Sequence, residues 1–143
     1  MDPRIAIWNT LHDGEITVAA REGMALEIFV SIPYLRVRLA PLGDSFSLRL
    51  SGLRALEFSY SHETKKTSSL SDIAMSGIVI LSTDSNAMPV KVETTQGCLT
   101  LDFDEMEIRL DTGQIVAYQT VLSACTEYWD EWSRRAGRAS SER

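Results

Sequence analysis

The segment from Leu99 to Leu110 constrains the fold of this chain more than any other. Apolar and polar residues alternate on both sides of the pair Asp104 and Glu105. A period of two residues is typical of β-strands that bury one face. We therefore predict an antiparallel hairpin that turns at Asp104 and Glu105, with one apolar face and one acidic face.

Short runs with the same period predict further strands. They cover residues 16–20, 26–39, 46–50, 56–60, 78–81, 90–94 and 115–118. Within the longest run, the apolar residues change from even to odd positions at Pro33 and Tyr34, so we expect a β-bulge or bend there. This bend leaves Arg36 and Arg38 on the polar side. Residues 4–11 form either a short helix or an extended lead-in.

The period changes near the C-terminus. Apolar residues from Val121 to Trp132 are spaced by three and four, which predicts an amphipathic helix over about 119–135. We expect it to pack against the sheet, with Tyr128, Trp129 and Trp132 in the core; the alternative is an aromatic oligomer contact. The predicted fold class is α+β: a mostly antiparallel meander of about eight to nine strands, as a curved sheet or partial barrel, with a C-terminal amphipathic helix.

The length of 143 residues predicts a single domain, 1–143. Residues 61–72 are the most polar segment, so we expect an exposed loop there. This loop ends in a helical turn at 70–75, with Ser71 or Asp72 as the N-cap. Residues 136–143 are predicted to form a frayed basic tail.

Composition limits the classes of function. A net charge of −6 argues against a nucleic-acid surface, because attraction to phosphates needs a basic face. The longest apolar runs have four residues, far from the roughly 20 that span a bilayer, and no secretory leader is visible. These features predict no membrane partner. Cys98 and Cys125 match no metal spacing and are predicted to be reduced and buried, which indicates a cytoplasmic protein.

Asp111-Thr112-Gly113 resembles the active-site triplet of aspartic proteases. Gln114 follows where that family has serine or alanine, and Gly137 is the only later glycine, so the second half of such a fold is missing. We therefore predict an ordinary hairpin turn at this triplet.

The remaining candidates are acidic or imidazole groups. His12 and Asp13 could form a metal or acid–base pair, but His62 is the only other histidine and lies far along the chain, so turn formation is the favoured role. The hairpin carboxylates do not have the spacing of a calcium loop. No nucleophile elbow, phosphate loop or dinucleotide pattern is present, so we expect no cofactor, metal or enzymatic activity. For the acidic face, a solvated surface is the favoured interpretation and a docking surface for a basic protein partner is the alternative. The candidate docking residues are Asp102, Asp104, Glu105, Glu107, His12 and Asp13.

The phrase from Trp8 to Ile16, with Leu11-His12-Asp13-Gly14-Glu15 at its centre, resembles the opening of small β-rich bacterial domains, among them immunity proteins of polymorphic toxin systems. The resemblance implies a cytoplasmic, non-enzymatic protein that binds and blocks a toxin domain. A protein-binding module is therefore the leading hypothesis. The alternatives are a subunit that self-associates through the C-terminal helix or a sheet edge, and a carboxylate- or metal-dependent enzyme.

Overall fold

The computed structural model describes residues 2–40, 42–61, 64 and 66–141, with the backbone alone for Leu70 and 137–141. The helices are α1 (Pro3–Thr10), α2 (Pro33–Arg36), α3 (Leu70–Met75) and α4 (Tyr118–Ser141). The strands are β1 (Glu15–Glu22), β2 (Ala25–Ser31), β3 (Ser45–Ser51), β4 (Ala55–Tyr60), β5 (Lys66–Thr67), β6 (Ile80–Ser82), β7 (Val90–Thr94), β8 (Gly97–Asp102), β9 (Glu105–Leu110) and β10 (Ile115–Val116). The predicted α+β class with a C-terminal helix is confirmed.

The strands form two open antiparallel sheets of five strands each. The order is β1-β2-β3-β9-β10 in the first sheet and β5-β4-β8-β7-β6 in the second. The described residues therefore form two sheets, and not the single curved sheet or partial barrel that the sequence predicts. The predicted hairpin at 99–110 is also wrong, although both of its strands are present. β8 pairs with β4 and β7, whereas β9 pairs with β3 and β10.

The chain changes sheets at Phe103 and Asp104, directly beside a second crossing from β3 to β4. The Asp104 amide donates to the Ser51 carbonyl at 2.9 Å, and the Arg54 amide donates to the Asp102 carbonyl at 2.7 Å. The two crossings together make one bent antiparallel ribbon that belongs to both sheets, and we call residues 51–55 and 102–105 the corner. Gly52 has a φ of +67°, and a Cβ there would lie 2.3 Å from a carboxylate oxygen of Asp104. Only glycine fits this bend without strain.

The β1–β2 hairpin is confirmed, with its turn at Gly23. The predicted long strand 26–39 is wrong beyond Ser31, because Pro33 begins the short helix α2. Proline suits the first position of a helix, since its φ is already helical and the missing N–H would have no partner there. The prediction that Arg36 lies on the polar side is wrong as well: its side chain is fully buried.

Both sheets and α1 contribute to one hydrophobic cluster, in which Trp8, Phe46, Phe58 and Phe103 are fully buried. Trp8 also donates from Nε1 to the Arg4 carbonyl at 2.9 Å, so its polar atom is satisfied inside the core. The predicted C-terminal helix is confirmed as α4, and its main packing partners are the helices α1 and α2. Its buried apolar residues are Val121, Ala124 and Cys125.

The polar segment is only partly described. Lys66–Thr67 pairs with β4 as β5. Ser69, not Ser71 or Asp72, caps α3, because its hydroxyl accepts from the Asp72 amide. His62 lies outside the described residues, as does Arg143 at the end of the predicted basic tail. Helix α4 runs through most of that tail, to Ser141.

Candidate functional site

The corner brings two of the candidate docking residues together. Arg54 donates from Nη2 to Asp102 at 2.7 Å and from Nη1 to the Asp104 carboxylate. Arg4 donates from Nη1 to the carbonyls of Phe103 and Asp104, at 3.1 and 2.9 Å. These carboxylates therefore already have arginine partners within the chain.

The other two acidic candidates lie on β9. Glu107 accepts from Arg109 Nε at 2.8 Å and faces Arg49 of β3 in the register of the sheet. Glu105 is exposed, and the described residues provide no ion pair for it. The predicted acidic face thus carries arginines next to its carboxylates, and a docking role for it stays a prediction.

His12 and Asp13 lie in the turn after α1, apart from the corner, and contact β6. The Asp13 backbone has a φ of 72°, and its amide donates to the Ile80 carbonyl at 2.9 Å. His12 Nδ1 lies 2.6 Å from the Leu81 carbonyl oxygen, and its Nε2 lies 3.4 Å from the Asp13 carboxylate. These contacts join the turn after α1 to the second sheet. Among the described residues, no group of three or more histidine, cysteine, aspartate or glutamate side chains could hold a metal ion.

Asp111 of the Asp-Thr-Gly triplet binds the buried Arg36. Both Nε and Nη2 of Arg36 lie 2.9 Å from Asp111 Oδ1, and the guanidinium also donates to the carbonyls of Ala40 and Leu42. Asp111 Oδ2 accepts from the amides of Asp44 and Ser45, at 2.9 and 3.1 Å. The triplet forms the predicted turn, between β9 and β10.

This environment determines the pKa of Asp111. Burial on its own raises the pKa, but the hydrogen bonds from the Asp44 amide, Arg36 and the Ser45 amide outweigh it and lower the pKa below the usual carboxyl value. A carboxylate with a lowered folded pKa stabilises the fold above the unfolded pKa, and this contribution is lost as the pH falls through the folded pKa.

We therefore expect the difference in unfolding free energy between wild type and Asp111→Asn to be constant near neutral pH. It should shrink below about pH 3.9, the ordinary value for aspartate, when urea titrations are repeated in acid. A difference that does not change in acid would contradict this assignment.

Tyr34 of α2 and three aromatic residues of α4 form a connected row of rings whose outer end is exposed to solvent. The ring centroids of Tyr34 and Tyr128 are 4.4 Å apart, those of Tyr128 and Trp129 5.1 Å, and those of Trp129 and Trp132 6.0 Å. We call these four residues the aromatic ladder. Trp129 is 36% exposed and Trp132 is 54% exposed, so the prediction that they belong to the core is wrong. The described residues from Trp132 to Ala136 are all exposed, which shows that α4 extends past the body of the protein.

Residues in and just after α2 support the inner end of the ladder. The Arg38 guanidinium lies 5.3 Å from the centroid of the Tyr128 ring and forms an ion pair with Glu131. The Tyr34 hydroxyl donates to the His12 carbonyl at 2.7 Å, and burial raises the pKa of this phenol. The sequence pattern marks Tyr34 only as the position of a bend, because nothing in the pattern connects α2 to α4. The inner end of the ladder is therefore fixed by contacts within the chain.

A groove of about 300 Å³ lies beside the ladder, between α1 and α4. Its lining residues are Ala6, Asn9, Thr10, Tyr118, Leu122, Cys125 and Trp129. We call it the α1–α4 groove. Cys125 lies 3.5 Å from the Thr10 carbonyl oxygen, and burial raises the pKa of its thiol. A protonated thiol is a poor nucleophile, so Cys125 is not suited to thiolate chemistry.

Comparison with known proteins adds no relative: no family model matches the chain, and neither curated proteins nor solved structures give a match. Of the helices in the described part of the chain, none has both the length and the apolar composition needed to cross a membrane.

Proposed function

We propose that this chain is a non-enzymatic protein-binding module whose binding surface is the aromatic ladder together with the α1–α4 groove. The observation that carries the proposal is the exposure of Trp129 and Trp132 at the end of a supported row of rings. Tryptophan and tyrosine are enriched at the centres of protein interfaces, where burying one large ring contributes much of the binding free energy. A fixed aromatic surface also loses little conformational entropy on binding.

The chemistry of the other candidate groups supports binding over catalysis. The carboxylates of Asp102, Asp104 and Asp111 are held by arginines, and the Cys125 thiol is buried. The resemblance of the Trp8–Ile16 phrase to immunity proteins would make the partner a toxin domain, and this identity stays a prediction. His12 and Asp13 of that phrase make the turn contacts with β6, so they contribute to the fold in any case. Cys98 and Cys125 are both free thiols, in keeping with a cytoplasmic protein.

The proposal is tested by site-specific photo-cross-linking in the cells that produce the protein. A photoreactive phenylalanine analogue replaces Trp132 in one variant and Met24 in the control. Met24 lies in the β1–β2 turn and is 61% exposed, close to the 54% of Trp132, so the two probes are equally accessible. We expect a discrete protein adduct from position 132 and none from position 24. Equal labelling at both positions, or no adduct at 132, would contradict the proposed binding surface.

A further inference from the structure

We propose that the outer face of the first sheet carries a second binding site, for a small zwitterion of the α-amino acid class with an apolar side chain. The site is a cavity of about 180 Å³, lined by the polar groups of Glu27, Ser47 and Arg109 and by the ring of Phe29. The residues that line it and those that line the α1–α4 groove do not overlap. The inference therefore goes beyond the proposed function and does not depend on it.

The register of the sheet places these groups side by side. Ser47 of β3 lies opposite Phe29 of β2 and opposite Arg109 of β9. Side chains alternate along a strand, and Phe46 and Leu48 belong to the core, so Ser47 projects from the other, outer face. Phe29 and Arg109 therefore stand on either side of Ser47 and form two walls of the cavity.

The buried hydroxyl of Ser47 has no partner within the described residues. The residue is only 4% exposed, yet no described group forms a hydrogen bond with this hydroxyl. The oxygen keeps some access to solvent, because every fully enclosed side-chain nitrogen or oxygen in the described residues has a partner. A buried hydroxyl without a partner is destabilising, and water or a ligand usually supplies one. Since Ser47 lines the cavity, a ligand bound there can form this hydrogen bond.

Arg109 provides the binding group for a carboxylate. Its Nε donates to Glu107 at 2.8 Å, while no described residue accepts from Nη1 or Nη2. The planar guanidinium suits a carboxylate, which accepts two parallel hydrogen bonds from it. The Ser47 hydroxyl next to it can donate to the same group. Asp111 also lines the cavity, but its charge is already neutralised by the buried Arg36.

Glu27 provides the binding group for an ammonium ion. It is half-buried and lies opposite Arg49 in the register, yet the two side chains form no ion pair. An acid without an amine would leave this carboxylate uncompensated beside its own, so the pair of Arg109 and Glu27 favours a zwitterion. The half-buried ring of Phe29 offers an apolar surface for the ligand's side chain. The cavity is slightly larger than the roughly 150 Å³ that holds benzene, so the side chain of leucine is of suitable size.

The test is a titration of the full chain with L-leucine, followed by proton–nitrogen correlation NMR spectra. Two analogues are the matched probes, since isocaproate lacks the ammonium group and isoamylamine lacks the carboxylate. We expect L-leucine to shift the amide signals of Phe29, Ser47 and Gly113, which all line the cavity, and to reach saturation. Each analogue should bind at least about tenfold more weakly, because it leaves one charged group of the site without its partner.

Substitutions assign the two ends of the ligand. Arg109→Gln should raise the dissociation constant of L-leucine about tenfold or more, as loss of a charge-assisted hydrogen bond does. Ser47→Ala should raise it about fivefold without lowering the midpoint of thermal unfolding, because the hydroxyl has no partner in the free chain. Glu27→Gln should weaken the binding of L-leucine and strengthen that of isocaproate. The matched control is Arg135→Gln on α4, an exposed arginine without an ion pair among the described residues, which should change neither affinity.

The inference is wrong if L-leucine shifts no signals up to about 10 mM, or if the shifted signals lie outside the outer face of the first sheet. It is also wrong if either analogue binds as tightly as L-leucine, or if Arg109→Gln changes the affinity no more than Arg135→Gln does. The comparison of the three probes uses the wild-type chain, so it decides the question even where a variant fails to fold. Photo-cross-linking at position 132 tests the other surface, so the two proposals fail separately.

Discussion

Replacing Asp111 by alanine is expected to lower the free energy of unfolding by about 3–5 kcal/mol, the usual cost of leaving a buried charge without its partner. The substitution leaves the guanidinium of Arg36, which is 0% exposed, without its carboxylate. The carbonyls of Ala40 and Leu42 still accept from it, but they do not neutralise its charge. Urea unfolding followed by far-UV circular dichroism measures the change, with the midpoint moving at constant slope.

Two further variants make this expectation specific. The exposed pair of Glu107 and Arg109 is the matched control, and Glu107→Ala should cost about 0–1 kcal/mol. The double variant Arg36→Met, Asp111→Leu removes both charges, and it should recover part of the lost stability because no unpaired charge stays buried. Recovery is not complete, because the amides of Asp44 and Ser45 still lose the carboxylate oxygen that accepts from them. A cost for Asp111→Ala within the range of the control would contradict the assignment of Asp111 as the partner that neutralises the buried charge of Arg36.

Sequence reasoning located this pair only in part. The turn at Asp111 was predicted from Asp-Thr-Gly, because those residues suit the backbone of a turn. Arg36 was placed on the polar side, since alternation treats every charged residue as solvated. Its partner is 75 residues away, and local periodicity contains no information about such a distance. Pro33 was the available signal, because a proline after an apolar run is as compatible with a helix start as with a bend.

The sequence pattern correctly predicts β8 and β9 as strands, but it wrongly predicts that they pair with each other. A period of two reports which face is buried, and it does not report which strand lies alongside. The two residues between these strands favoured a hairpin. The crossing from β3 to β4 supplied other partners, and the alternation on both sides of Phe103 is equally consistent with that arrangement.

Helical spacing likewise predicts which residues of α4 share a face, but not which of them are buried. A spacing of three and four places Tyr128, Trp129 and Trp132 near one face, but it cannot tell where along the helix the body of the protein ends. That boundary depends on α1 and α2, which pack against α4 from distant parts of the sequence. The contact surface weighed as an alternative in the sequence is therefore the better hypothesis once the exposure of both tryptophans is known.

The second large effect is expected at the corner. Phe103 is fully buried where the chain passes between the sheets. Phe103→Ala should lower the free energy of unfolding by about 3–5 kcal/mol, because the bent ribbon leaves little freedom for the cavity to collapse. The neighbouring exposed residue provides the control, and Glu105→Ala should change the stability by no more than about 0.5 kcal/mol. Thermal and urea unfolding of the three proteins measure both values.

The shape of the transition tests the corner further. Since residues of both sheets belong to one hydrophobic cluster, Phe103→Ala should lower the midpoint of a single transition without dividing it into two. In a hairpin that turned at Asp104 and Glu105, Phe103 would sit beside an exposed turn at the edge of one sheet, and its loss would cost far less. A cost near that of Glu105→Ala would therefore argue for the hairpin and against the crossing between sheets.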